Sequence, residues 1–245
     1  MKDGIVKDDV KTDSFLMIGQ SNMAGRGDFG EVPEIVNSRC FMLRMGRWQQ
    51  MSEPINPDRY IFGEGFHSGI SLAASFADKY AEHFDRQVGL IPCADGGTTV
   101  SQWQPGTVLF DHCVMQAELA GRSSVLKGIL WHQGESDCTS DESLIMYEER
   151  LCRVLCGIRE QLGMQRLPII IGELAYDIAE NWSTNRRQLE FNRALPEIAR
   201  KIGNCSIASS KNLALKPDGI HFNSASLREF GIRYFKEYLK IIENK

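Results

Sequence analysis

The chain has 245 residues, long for one domain but within the span of a single α/β domain, and long enough to bury a core without disulfides or metals. Its 28 basic and 32 acidic side chains are interspersed and leave a formal charge of −4, which excludes a basic field for nucleic acid. No run of about 18 apolar residues occurs, which excludes a membrane partner by way of a spanning helix. The charged start, Met1-Lys2-Asp3-Gly4, lacks the apolar core of a signal peptide, so a cytoplasmic location is expected.

Taken in order, residues 1–13 read as a flexible lead-in to one domain covering 1–245. Ser14 to Gly19 is an apolar strand that stops in Gly19-Gln20-Ser21-Asn22, a sharp turn at a sheet's carboxyl end, where open α/β sheets place ligands. Ser21 there serves either as a helix cap or as a nucleophile with an exposed hydroxyl. The stretch from Asp28 to His67, with scattered Gly and Pro, is too long for an ordinary connection and is expected to wall a substrate cleft. Cys40 to Leu43 is a candidate extra strand inside it. Arg26, Trp48 and Glu64 are within sequence reach of a polar ligand, although solvated loop positions account for each.

Apolar residues at helical spacing from Ile70 to Phe84 predict a helix over 68–84. Strand two is Gln87 to Pro92, followed by the Asp95-Gly96-Gly97-Thr98 loop. A helix over 109–122 leads to strand three, Val125 to Trp131, ending in His132-Gln133-Gly134-Glu135. Residues 141–162 form a long amphipathic helix with acidic residues at its positive end. Strand four is Leu167 to Gly172, residues 186–202 are helical with Pro196 inside, strand five is Cys205 to Ala208, and 224–243 is a closing helix. Strands alternating with helices predict a parallel sheet covered on both faces. Near the end, Asp218-Gly219-Ile220-His221 places a carboxylate and an imidazole three residues apart in a turn, able to face one point.

Seven cysteines, an odd number with no Cys-x-x-Cys, support neither a zinc ribbon nor a thioredoxin motif. Cys152 and Cys156 read as small buried hydrophobes on their helix.

The strings Gly19-Gln20-Ser21-Asn22-Met23-Ala24-Gly25, Gly96-Gly97-Thr98, Trp131-His132-Gln133-Gly134-Glu135-Ser136-Asp137 and Asp218-Gly219-Ile220-His221 follow the order of the SGNH-hydrolase blocks. The variant resembles the carbohydrate-esterase branch that includes acetylxylan esterases and sialate O-acetylesterases. The resemblance covers about residues 14–240. It implies a three-layer α/β/α, flavodoxin-like fold with a five-stranded parallel sheet in the order 2-1-3-4-5. It implies a serine esterase with Ser21 as nucleophile, His221 as base and Asp218 as its orienter, acting on an acetylated carbohydrate with no cofactor and no metal; the lack of a signal-peptide core favours a small acetylated saccharide over a polymer. Oxyanion donors are expected at Ser21, Gly96 and Gln133, with Gly97 the rival to Gly96; Gln133 stands where the wider superfamily carries Asn. Supporting or substrate-binding positions are Asn22, Gly97, Glu135 and Trp103, the last either a face for a sugar ring or a core residue.

Two rivals belong to other classes. His132, Glu135, Asp137 and His221 supply enough N and O donors for a metal-assisted hydrolase, although no two histidines stand at i, i+4. A carbohydrate-binding protein with a degenerate site is the other. A glycosidase using Glu135 and Asp218 leaves Ser21 and His221 without a role. Ser21 is not in a Gly-x-Ser-x-Gly elbow, which argues against the α/β-hydrolase arrangement.

Overall fold

A computed structural model of the chain describes residues 12–57, 67–138, 140–183 and 186–243. The central strand β1 (Thr12–Gly19) is buried at every position past Thr12, which is why it reads as a continuous apolar run rather than an alternating one. It begins two residues earlier than its apolar run suggests. Asp13 accounts for this: its buried carboxylate takes hydrogen bonds from Tyr80 Oη and Arg86 Nε, both at 2.8 Å. A paired carboxylate can enter a core that an unpaired one cannot. Thr12 and Asp13, expected within the lead-in, therefore belong to β1.

A short helix, α1 (Ser21–Ala24), follows β1 directly. Next come β2 (Cys40–Arg44) and β3 (Arg47–Gln50), a helix α2 (Leu72–Phe84) and β4 (Gln87–Pro92). The rest of the chain alternates α3 (Val108–Ala120), β5 (Val125–His132), α4 (Asp141–Gln161), β6 (Ile169–Gly172), α5 (Arg187–Ile202), β7 (Cys205–Ala208) and α6 (Ser224–Glu243).

Among the described residues the strands form one sheet in the order β3-β2-β4-β1-β5-β6-β7. Its inner five, β4-β1-β5-β6-β7, are parallel and reproduce the expected 2-1-3-4-5 order. The sheet is nonetheless seven-stranded and mixed, not five-stranded and parallel. The expected extra strand, β2, adds in parallel to β4, and β3 folds back antiparallel on β2. Met45 and Gly46 make that hairpin turn with φ of 49° and 74°. Two positive φ values match the twist of the flanking strands, as a type I′ turn requires.

Helices α2 and α6 pack together on one face of the sheet, and α3, α4 and α5 cover the other. Under α2 and α6, the Phe15 ring meets Phe76, Tyr80 and Tyr238 edge to face, with centroids 4.7, 4.9 and 5.1 Å apart. Such contacts add to the burial of the rings themselves. At the amino-terminal rim, Arg159 of α4 is buried and its guanidinium donates to the carbonyls of Leu167, Ile202, Gly203 and Asn204. It satisfies the open carbonyls at the end of α5, which would otherwise lack partners. Cys156 is exposed, contrary to the buried reading, while Cys40, Cys93, Cys113 and Cys138 are buried thiols. No helix among the described residues is long and apolar enough to cross a membrane.

Candidate active site

The site lies at the carboxyl ends of β1, β4 and β5. Gly19 closes β1 with φ of 130°, and a Cβ placed on it would lie 2.0 Å from the His132 carbonyl oxygen. Only glycine lets β1 and β5 approach so closely as the chain turns. Gln20, in extended conformation, is the N-cap of α1, without a side-chain cap bond. Ser21 is therefore the first helical residue and not the cap, which leaves its hydroxyl for other contacts. Its backbone N–H is one of the first-turn donors that no intrahelical carbonyl satisfies.

Ser21 Oγ lies 2.9 Å from His221 Nε2, joining residues 200 positions apart. His221 Nδ1 lies 2.8 Å from Asp218 Oδ2. The other oxygen, Asp218 Oδ1, accepts the backbone N–H groups of Ile220 and His221, both at 3.0 Å. Partial burial pushes the Asp218 pKa up, but these two N–H groups and the His221 ring outweigh it and hold the carboxyl below its ordinary value. Asp218 stays ionised, fixes Nδ1–H as the donor, and leaves Nε2 as the acceptor facing Ser21.

Asn22 explains how the two ends of the chain meet. Its Nδ2 donates to the Ile220 carbonyl at 3.2 Å, and its Oδ1 accepts the Phe222 N–H at 3.1 Å. One carboxamide thus brackets His221 from both sides. Its Nδ2 also donates to Glu135 Oε1 at 2.6 Å, and that oxygen lies 3.1 Å from His132 Nε2. Glu135 is buried, which pushes its pKa up. The adjoining His132 ring, with hydrogen bonds from His132 and Asn22, outweighs this and holds it below its ordinary value. Tyr234 Oη completes the row, donating to the Trp131 carbonyl at 2.8 Å beside His132 Nδ1.

Of the two loop glycines, Gly96 stands at the site. A Cβ on it would come 3.7 Å from Ser21 Cβ and 2.6 Å from the Arg26 guanidinium. Gly97 is exposed, has φ of 75°, and faces open space; it serves the turn.

Gln133 differs from its expected place. It is fully buried, and its amide nitrogen lies 2.5 Å from Asp137 Oδ2, 2.9 Å from the Thr98 carbonyl and 3.1 Å from Gln20 Oε1. Two amide hydrogens facing three protein acceptors leave none for an oxyanion. Gln133 instead ties the loops after β1, β4 and β5 together, with Gln20 Oε1 also accepting the Gly134 N–H at 3.3 Å. Asp137 accepts the Val100 N–H at 2.9 Å, and its burial raises its pKa despite that bond and the one from Gln133.

Trp103 is a core residue and offers no face to a sugar. It is fully buried, donates to Thr98 Oγ1 at 3.0 Å and meets Trp131 edge to face. Trp48 lies away from the site: its ring covers Gly89 and its Nε1 donates to Ser123 Oγ at 3.1 Å. Glu64 lies outside the described residues. The four expected metal donors do not converge, since His132 pairs with Glu135, Asp137 with Gln133 and Val100, and His221 with Ser21 and Asp218. Among the described residues no group of three or more His, Cys, Asp or Glu side chains is arranged to hold a metal.

Two residues at the site carry little signal in the sequence. Gln20 adjoins the serine, but its bracing role requires knowing that β1 and β5 are neighbours. Trp182 is 45% exposed in the irregular segment after β6, and its Nε1 donates to the Asp218 carbonyl at 3.0 Å.

This chain has relatives of known fold. The family described as "Carbohydrate esterase, sialic acid-specific acetylesterase" matches residues 11–240. The probable carbohydrate esterase At4g34215 of Arabidopsis thaliana is 26% identical, over 92% of this chain and 89% of that protein. Its crystal structure superposes with a TM-score of 0.79 at 25% identity, covering 93% of this chain and 98% of the other. NanS gives a TM-score of 0.77 at 14% identity, covering 96% and 98%. XAC1771, a carbohydrate acetylesterase from Xanthomonas citri, gives 0.69 at 17% identity, with 95% of this chain on 57% of that one. The last two likenesses speak to the fold, whereas the family match spans nearly the whole sequence and all four blocks. The chain belongs to the carbohydrate esterase, sialic acid-specific acetylesterase family, and is an enzyme that hydrolyses ester bonds.

Proposed function

We propose that this enzyme removes O-acetyl groups from a small saccharide through an acetyl-enzyme on Ser21, with His221 as general base and Asp218 as its orienter. The observation that carries the reading is the unbroken chain of hydrogen bonds, Ser21 to His221 at 2.9 Å and His221 to Asp218 at 2.8 Å. A serine hydroxyl is a weak nucleophile at neutral pH and needs a base within such a distance.

Ser21 Oγ attacks the acetyl carbonyl while His221 Nε2 takes its proton. The carbonyl oxygen becomes an oxyanion held by the Ser21 and Gly96 backbone N–H groups. As the tetrahedral intermediate collapses, the ester C–O bond breaks and His221 passes the proton to the departing sugar oxygen. Water, activated by the same imidazole, then attacks the acetyl-enzyme and releases acetate, returning the proton to Ser21. Asp218 stays ionised throughout and stabilises the imidazolium.

Hydrolysis of p-nitrophenyl acetate tests the reaction class. Ser21→Ala should lower the rate by about 10⁴ or more; unchanged turnover would sink the assignment. Turnover should be indifferent to a chelator. A panel of acetylated xylose derivatives and O-acetylated sialate, scored by acetate release, identifies the saccharide.

A further inference from the structure

Beside the Ser21–His221 contact lies a cleft of about 370 Å³. Its walls are the 26–29 segment after α1, the 67–69 segment before α2, and Lys216, Asp218 and His221. Ser21 and Gly96 are not in its lining, so it is separate from the acyl position. His221 Nε2 must be within reach of both the nucleophile and the departing oxygen, which share the acyl carbon, to move one proton from the first to the second. The alcohol half of the ester must therefore leave Ser21 past His221, and this cleft is one that His221 lines.

Phe29 is 58% exposed and stands in that wall. A single exposed aromatic is ordinary on a protein surface; one on the wall of a cleft shared with the imidazole is a ready platform. The segment carrying it is fixed from three directions. Lys216 Nζ donates to the Arg26 carbonyl at 2.9 Å and to Asp28 Oδ1 at 2.7 Å. Ser224 Oγ donates to the Asp28 carbonyl at 2.9 Å, and Gly27 pairs with Ile70. A platform held before the ligand arrives loses little entropy on binding.

The charged side chains in the lining have partners. Among the described residues of the lining, Lys216 pairs with Asp28 at 2.7 Å, Asp218 with His221, and Arg26 Nη1 donates to the Gly25 carbonyl at 2.8 Å. The volume is at the lower end of small-ligand clefts, about 300–1,000 Å³, enough for one or two sugar rings.

On the esterase reading, we propose that this cleft is the subsite for the alcohol half of the substrate, an uncharged pyranose whose apolar face packs on Phe29 while its acetylated oxygen meets His221 Nε2. The subsite, and not the acyl position, would then set which sugars the enzyme accepts.

The test compares three substrates on the full chain: an acetylated methyl xyloside, O-acetylated sialate, and methyl acetate, whose alcohol half leaves the cleft empty. Wild-type kcat/KM should favour the xyloside over the sialate. Phe29→Ala should raise KM for the xyloside about three- to tenfold, the size of one aromatic-face contact. It should leave kcat/KM on methyl acetate within about twofold, and Phe29→Trp should restore the xyloside KM. Equal losses on xyloside and methyl acetate, an unchanged xyloside KM, or a preference for sialate would overturn the proposal while leaving the esterase intact. No hydrolysis of any of the three by the wild type would remove the esterase reading as well.

Discussion

At the scale of single residues, Asn22 does more than its place beside the serine suggests. It holds both peptide neighbours of His221 and a buried carboxylate with one side chain. Asn22→Ala should lower kcat about 10²-fold with KM changed little, because the imidazole loses its bracket while the cleft keeps its walls. Steady-state kinetics on an aryl acetate checks this, and a change confined to KM would contradict it. Glu135 gives a pH prediction. Its folded pKa lies below its ordinary value near 4.5. A depressed carboxylate contributes stability above the unfolded pKa and loses it as pH falls through the folded one. The melting temperature of the native enzyme should exceed that of Glu135→Gln most at neutral pH, and the gap should narrow below about pH 4. A gap that widened in acid would reverse the sign. Trp103, read from the sequence as an even choice between sugar face and core, is core. Trp103→Ala should therefore cost about 3–5 kcal/mol of stability, seen by denaturant unfolding, rather than act on KM alone.

At the scale of elements, the five inner strands and the main helices were legible because their signals are strong. β1, β5 and β6 are buried on both faces and read as apolar runs, and α5 and α6 carry one-sided apolar stripes. β3 was not legible. Its residues Arg47-Trp48-Gln49-Gln50 are largely exposed, and it exists because the Met45-Gly46 turn folds it back on β2. Nor was the role of Arg159 legible: a basic residue on an amphipathic helix reads as solvated until the ends of α5 and the 164–168 turn close over it. Arg159→Met leaves buried carbonyls without donors and should lower stability by about 3 kcal/mol or more. Arg159 lies at the rim opposite the site, so turnover per folded molecule should be unchanged, and a fall in that specific activity would show that the two rims are coupled.

Over the whole molecule, the meeting of Ser21 with His221 was legible as four blocks in order, and the sheet explains it. Placing β1 between β4 and β5 puts Ser21, Gly96 and the His132–Asp137 turn on one rim, and α6 runs back beneath the turn that carries His221. That Gln133 turns inward, to acceptors on two other loops and on its own turn, was not legible. The cleft beside His221 was foreseen only as a wall of the long 28–67 segment; that Lys216 would pin this segment to the opposite loop depends on a contact 188 residues away in sequence. The proposed reaction requires that His221 activate Ser21. Reaction with a phosphonofluoridate, followed by mass spectrometry of the digest, measures that activation directly. The native enzyme should be modified at Ser21, with His221→Ala slower by about 10³ or more. Modification at another residue, or an undiminished rate at Ser21 without the imidazole, would contradict it.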